Sequence, residues 1–373
     1  MSDAPATFRI VASDMDGTLL NSAHKITPYT METLFQLSVR FNVKFIFATG
    51  RHHLSVHDAW EALSTYFAQR YEEYHAEQIA AAESSGKTPE KSAAPGFFLV
   101  TSNGARIHDP QGKLIVQHNL DPEIVRALYL QYGLPYTARH GPDAQKEHAI
   151  GSSPYLAQPP TPVPEDAEVG AREGDDEHPE ETVSTSTYTT DAWYITVPFM
   201  PLPEMEKKFG VRPFVVPFDA ADPANATRSV FDEFPLEDVG KVCFRCSDKH
   251  ILDRMEHNIK LQFGDRVSVA LSSTCCLDVM ASGISKASAL KEVVSLLSSQ
   301  AATHDTRVFT MDDVISFGDS MNDEEMLAAA GKGCVMRNAQ ERLKKCLPQC
   351  EVIRTNEQNG VAVKLREIFH MEV

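Results

Sequence analysis

Four things are missing from this sequence, and each absence removes a class of protein. No stretch reaches the roughly 18 consecutive apolar residues of a membrane-spanning helix. Basic side chains are in the minority, 35 against 52 acidic ones in 373 residues, for a formal charge of −17. That balance excludes a surface built to grip nucleic-acid phosphates. The seven cysteines are odd in number and show no repeated spacing, which fits a reducing compartment and not a disulfide framework. Met1 to Thr7 is short and polar and runs at once into the apolar Phe8 to Ala12, so no signal peptide is expected. The expectation is a cytoplasmic protein with neither membrane nor nucleic-acid partner.

The acidity is unevenly spread. Between Glu165 and Glu181 stand nine acidic residues and a single basic one, Arg172, so about half of the net charge lies in one short run. Proline-rich Pro154 to Pro164 precedes it and hydroxyl-rich Ser184 to Thr190 follows. From about 141 to 190 no apolar periodicity remains, which reads as a flexible, solvated insertion. In a cytoplasmic chain the Asn225-Ala226-Thr227 sequon is a chance match.

Elsewhere strands and helices alternate. Phe8 to Ser13 is a short apolar run that stops at Asp14, as buried parallel strands do. Thr27-Pro28 supplies an N-cap and a first-turn proline for a helix with Met31, Leu34 and Phe35 on one face. Val43 to Ala48 is the second strand, Asp58 to Ala82 a helix, Ser84 to Pro95 a linker and Phe97 to Thr101 a third strand. The turn sequence Asp109-Pro110-Gln111-Gly112 joins two further short runs into a hairpin. Trp193 to Val197, Lys241 to Cys246 and Val267 to Leu271 look like strands, with Asp248 to Phe263 a helix between the last two. Lys286 opens another helix, and Val314 to Phe317 is a strand feeding Gly318-Asp319. The fold class is therefore α/β, with a parallel-sheet unit drawn from both ends of the chain and a separate α+β unit in the middle.

Chemistry gathers where the strands stop. Asp14-Met15-Asp16-Gly17-Thr18 places two carboxylates at the carboxyl edge of the sheet, where open α/β folds bind ligands. One residue apart, they point in different directions, so one can attack while the other handles a proton. Thr49-Gly50-Arg51 ends the second strand with a hydroxyl and backbone N–H groups, the makings of an anion cradle. Lys286 adds a cation at a helix start. In Gly318-Asp319-Ser320-Met321-Asn322-Asp323, the two carboxylates share one face, and oxygen ligands so packed suit Mg²⁺.

In this order, each at a strand end, the four segments resemble the motifs of the haloacid dehalogenase superfamily, and most closely its Cof-type phosphatases. Asp14 to Thr18 matches the first motif, Thr49 the second, Lys286 the third, and Asp319 with Asp323 the fourth. Ser102-Asn103-Gly104-Ala105 and Asn359-Gly360-Val361-Ala362 resemble the same branch. The likeness covers about 8–110 and 270–365. About thirty residues from Thr18 to Thr49 leave no room for a lid, whereas the 235 positions from Arg51 to Lys286 accommodate a large cap after the third strand. The resemblance thus implies a Rossmann-like core in two parts, 1–110 and 273–373, around an α+β cap, 111–272.

It also implies a Mg²⁺-dependent phosphatase that hydrolyses a small phosphorylated metabolite, such as a sugar phosphate, through an aspartyl-phosphate intermediate. Asp14 would be the nucleophile. Asp16, with a raised pKa, would protonate the leaving alcohol and then deprotonate water. Thr49, Gly50, Lys286 and Asn322 would hold the phosphoryl oxygens. The metal set would be Asp14, Asp16 through its carbonyl, Asp319 and Asp323, the last with Asn322 orienting the shell. Two other readings stand beside this one: a phosphomutase using the same aspartate, and a catalytically idle metabolite-binding protein. The idle protein should have lost Asp14, Asp16, Lys286 or Asp319, and all four are present.

Weaker signals resolve to bland readings. His53 and His57 have zinc-like spacing without a third ligand and read as a polar helix face. Cys243 and Cys246 resemble a zinc half-site but fall in a strand pattern, and Cys275-Cys276 offers no matching knuckle, so all read as structural thiols. Arg337 precedes Asn338 where the family usually has Gly-Asn, a departure that bears on the local loop.

Overall fold

The computed structural model describes residues 8–83, 94–133, 183–216, 230–301 and 308–372. The acidic run from Glu165 to Glu181, the sequon at Asn225 and most of the linker after Ser84 lie outside them. Every residue of β1 (Ile10–Asp14) is buried because the strand is covered on both faces. Val11 turns to one apolar layer, Ile10 and Ala12 to the other. β2 (Lys44–Ala48) repeats the alternation, with Phe45 and Phe47 on one side and Ile46 and Ala48 on the other. Between them, α1 (Pro28–Phe41) starts at Thr27, whose side chain accepts from the Thr30 N–H, and ends at left-handed Asn42.

α2 (His57–Glu83) and β3 (Phe97–Thr101) follow, then the hairpin of β4 (Arg106–His108) and β5 (Leu114–Gln117), as its turn sequence requires. The chain next enters the cap. There α3 (Pro122–Tyr132), β6 (Ser184–Tyr188), β7 (Trp193–Ile195), α4 (Leu202–Phe209), β8 (Phe214–Val215), β9 (Lys241–Arg245), α5 (Lys249–Phe263), β10 (Val267–Ser273) and β11 (Cys276–Ala281) follow in order. It returns to the core through α6 (Lys286–Ala301), β12 (Val314–Gly318), α7 (Glu324–Ala329), β13 (Lys332–Met336), α8 (Glu341–Cys346), β14 (Glu351–Ile353) and α9 (Gly360–Ile368).

The core sheet runs β14-β13-β12-β1-β2-β3-β4-β5, parallel from β14 to β3 with the antiparallel hairpin at one edge. Strand β1 is central. Asp14 lies opposite Ala48, and Ser13 opposite Phe317, so Asp14, Thr49 and Asp319 emerge side by side at one sheet edge. The cap sheet runs β10-β11-β9-β6-β7-β8. One face packs α3 and α5 through Val242, Phe244, Leu277 and Val279. The alternate residues Lys241, Cys243 and Asp278 lie on the opposite face.

Two expectations change. Ser184 to Thr190, read as part of the flexible insertion, instead contains β6, paired with both β7 and β9. Two of its hydroxyls find partners inside the protein: Ser184 Oγ donates to the Val197 carbonyl at 2.6 Å, and Thr187 Oγ1 lies 2.9 Å from Tyr129 Oη. Sheet membership also shifts the crossings between units from 110 and 272 to just after Gln117 and Ala281, because β5 pairs in the core sheet and β11 in the cap sheet. Among the described residues no helix is long and apolar enough to cross a membrane.

Candidate active site

Asp14 ends β1 and is followed by a tight turn in which Gly17 has φ +73°. A Cβ on Gly17 would also lie 2.5 Å from Asp319 Oδ2, so both backbone conformation and space demand glycine. Thr18 Oγ1 donates to Asp319 Oδ1 at 3.1 Å, which ties the first motif to the fourth. Asn338 Nδ2 donates to the Gly17 carbonyl at 2.7 Å and Asn338 Oδ1 accepts from the Asn356 N–H. The loop after β13 therefore still braces this turn with Arg337 in place of the family glycine.

Lys286, the first residue of α6, is 1% exposed. Its Nζ lies 2.5 Å from Asp14 Oδ1 and 2.7 Å from Asp323 Oδ1. The other oxygen of Asp323 accepts the Asp319 and Ser320 N–H groups, each at 3.0 Å. Asp323 thus fixes both the lysine and the loop that carries Asp319. Burial works against the Lys286 charge, but Asp14 and Asp323 outweigh it and hold the ammonium above its ordinary pKa.

Asp14, Asp319 and Asp323 bring one carboxylate oxygen each within 4.8 Å of one another. Burial, opposed by Lys286 and reinforced by the neighbouring carboxylates, drives Asp14 well above the usual carboxylate range. Asp319 is pushed up to about 7 by burial and by Asp323. Two buried carboxylates and the half-buried Asp319 against one ammonium are an excess of negative charge made of hard oxygen donors, and that set fits a divalent cation such as Mg²⁺. Asp14 Oδ2 meets no donor among the described residues, and Asp319 offers an oxygen within the same 4.8 Å cluster, so these two would hold the ion.

Asp16 departs from expectation. Its carboxylate turns away from that cluster to Arg51 and His24, which are themselves 2.9 Å apart. Burial acts to raise its pKa, but the hydrogen bonds from His24 and Arg51 and the guanidinium charge prevail, and the group is lowered. The raised value required of a resting acid is absent. Any metal contact from Asp16 falls to its carbonyl.

Thr49 follows β2 and is buried. Its Oγ1 accepts the Arg51 N–H at 3.1 Å, and the Gly50 N–H meets no acceptor among the described residues. Asn322, expected to touch phosphate, donates Nδ2 to Asn103 Oδ1 at 2.9 Å, while its own Oδ1 is buried without a partner. Elsewhere, His53 packs against His52 and His108, and His57 stacks on Trp60. Cys243 and Cys246 are buried. Sequence reasoning missed Lys241 and Asp278, a buried ion pair at 3.1 Å, and Arg106, which joins the core to Asp238 of the cap at 2.9 Å. A charged residue inside an otherwise apolar strand was the available signal for Asp278; Lys241 and Arg106 stand at the starts of strands that carry other polar residues.

Residues 11–71 and 176–365 match the family model described as haloacid dehalogenase-like hydrolase. A relative from Haemophilus influenzae, whose name goes no further than phosphatase, is 28% identical over 365 residues, covering 98% of each chain. The HMP-PP phosphatase of Klebsiella pneumoniae is 26% identical over 345 residues, covering 92% of this chain and 90% of its own. A solved sugar phosphatase of haloacid dehalogenase subclass IIB superposes with a TM-score of 0.58 at 14% identity, covering 96% of this chain and 98% of that one. The motifs, their meeting at one sheet edge and the family match agree: this chain belongs to the haloacid dehalogenase-like hydrolases.

Proposed function

We propose that this hydrolase is a Mg²⁺-dependent phosphatase of small phosphorylated metabolites, working in the cytoplasm through an aspartyl-phosphate intermediate. One observation carries the reading: the buried Asp14 carboxylate, held by Lys286 at 2.5 Å, shares a sheet edge with a Thr49 hydroxyl and a Gly50 N–H whose donor capacity the protein leaves open. A nucleophile and an anion cradle stand together. The names of the relatives support phosphorylated small molecules as substrates, with HMP-PP and sugar phosphates as the two precedents.

In the first step an Asp14 oxygen bonds to phosphorus as the bond from phosphorus to the leaving oxygen breaks in line. Asp16 gives the departing alkoxide its proton. In the second step Asp16 takes a proton from water, whose oxygen attacks phosphorus and releases Asp14 and inorganic phosphate. Lys286, Thr49 and the Gly50 N–H hold the oxygens on which charge develops. An arriving phosphate dianion competes with Asp16 for Arg51, and loss of that pairing lets Asp16 carry the proton it must deliver. A divalent cation held by Asp14 and Asp319 would supply charge neutralisation and keep both carboxylates ionised at neutral pH.

The test is a screen of phosphorylated metabolites with Mg²⁺, run beside Asp14→Asn, with mass spectrometry of acid-quenched protein. Release of phosphate and a phosphoryl adduct on the peptide containing Asp14 are expected. Equal turnover by Asp14→Asn would remove Asp14 as the nucleophile.

A further inference from the structure

Lys241 opens β9, is 3% exposed, and reaches from the cap into the core, where its Nζ lies 2.5 Å from the Gly50 carbonyl oxygen. On the adjacent strand β11, fully buried Asp278 accepts from the same ammonium at 3.1 Å and from Asn103 Nδ2 at 2.7 Å. The ring of Tyr188 covers the ammonium at 4.4 Å. Asn103 in turn donates its backbone N–H to the Thr49 carbonyl at 3.0 Å. The backbone of the cradle is therefore held at two successive carbonyls, one by the core and one by the cap.

Peptide geometry gives these contacts a consequence. In a trans peptide the C=O and N–H point in opposite directions. With the Thr49 carbonyl held by Asn103, the Gly50 N–H points the other way. With the Gly50 carbonyl held by Lys241, the Arg51 N–H is turned back onto Thr49 Oγ1, at 3.1 Å. That oxygen already accepts, so its proton is directed elsewhere. Rotation of the peptide between Gly50 and Arg51 would bring a carbonyl oxygen to the Thr49 side and remove the donor that fixes the hydroxyl.

We propose that Lys241 is a positioning residue for the reaction: it is the cap's contribution to the phosphate cradle. It fixes the Gly50–Arg51 peptide so that the Thr49 hydroxyl and the Gly50 N–H both donate to the transferring phosphoryl group. Asp278 and Asn103 hold the lysine in place. Because the contact crosses from cap to core, the cradle is complete only while the cap is shut, and attack by Asp14 is tied to closure. This rests on the phosphatase reading above.

Phosphate-ester hydrolysis with Mg²⁺ is compared for the wild type, Lys241→Met, Lys241→Ala and Asp278→Asn. The lysine variants are expected to lose roughly 20- to 100-fold in kcat, somewhat less than direct removal of an oxyanion donor, with KM changed by less than about threefold. Vanadate, which mimics the in-line transition state, should inhibit them more weakly in proportion to kcat/KM. Ethylammonium should restore part of the kcat of Lys241→Ala, a response that a merely structural role would not give. Asp278→Asn should lower kcat in the same direction, and it decides the matter alone if the lysine variants do not fold. An active wild type with unimpaired Lys241→Met, or variants whose vanadate inhibition is unaltered, overturns the role of Lys241 and leaves the phosphatase reading intact. A wild type that turns over no phosphate ester overturns both.

Discussion

Arg51 donates to the carboxylate of Asp16, so the residue proposed to deliver a proton to the leaving group rests in its ionised form. The leaving group should reveal this. Asp16→Asn is expected to lose on the order of 100- to 10,000-fold in kcat on alkyl phosphates, whose leaving oxygen needs a proton. Esters of acidic phenols, which leave without help, should suffer far less in the first step. Equal losses on both ester types, measured under single turnover, would show that Asp16 does something other than proton transfer there.

Lys286 carries a structural burden as well as a chemical one. Lys286→Met leaves Asp14 and Asp323 buried without their cation, at a cost of about 3–5 kcal/mol. Both carboxylates must then be protonated or solvated. Stability of this variant should therefore rise as pH is lowered from 8 to 6, the opposite of ordinary acid weakening. Urea unfolding of the variant at the two pH values checks the sign.

Mg²⁺ should stabilise the fold before any substrate is added. At about 100 times its Kd an ion that binds only the native state contributes roughly 2.7 kcal/mol. The melting temperature should rise by several degrees, and more at pH 8 than at pH 6, because Asp319, pushed up to about 7 by burial and Asp323, must lose its proton to hold the ion. Asp319→Asn should abolish the shift. A shift of wild-type size in that variant would move the ion elsewhere.

His52 and His108 set an acid limit. Burial, with the charge of His53, lowers each to about 4; His52 Nε2 lies 2.8 Å from the Thr189 carbonyl of the cap. Each is neutral when folded and takes up a proton near pH 6.5 when unfolded. Their contribution is whole above pH 6.5 and is lost as pH falls toward 4, on the order of 3 kcal/mol per residue. Unfolding measured with Mg²⁺ at pH 7.5 and 5 should show the loss, and His52→Gln should reduce it. Equal sensitivity in wild type and variant would acquit His52.

The meeting of the motif residues at one sheet edge was legible because its parts are local. Asp14, Thr49 and Asp319 each follow a buried strand directly, so the run of apolar residues announces the position of the polar one. Asn103, Lys241 and Asp278 were not legible as a unit, since each belongs to a different strand or turn and their meeting depends on how the cap sheet lies against the core. Ser184–Tyr188 was misread for a related reason. Its hydroxyls look solvated in sequence, but the strand pairs on both edges, and Thr187 meets Tyr129 inside the protein. The charge state of Asp16 depended on His24 and Arg51, two side chains that sequence spacing alone does not bring to it.

The two crossings between core and cap are short. β5 ends at Gln117 and α3 begins at Pro122; β11 ends at Ala281 and Lys286 opens α6. The first crossing is pinned at both ends, by the His118 N–H on the Ala105 carbonyl and the Leu120 N–H on the Val239 carbonyl. Four residues extended span at most about 14 Å, so each crossing keeps the cap close to the core. The second leash ends on Lys286 itself, so any displacement of the cap along it would pull on the lysine beside Asp14. If the proposed reaction needs the cap to open, a substrate too bulky for so short a tether would be refused before any side chain in the pocket reads its chemistry.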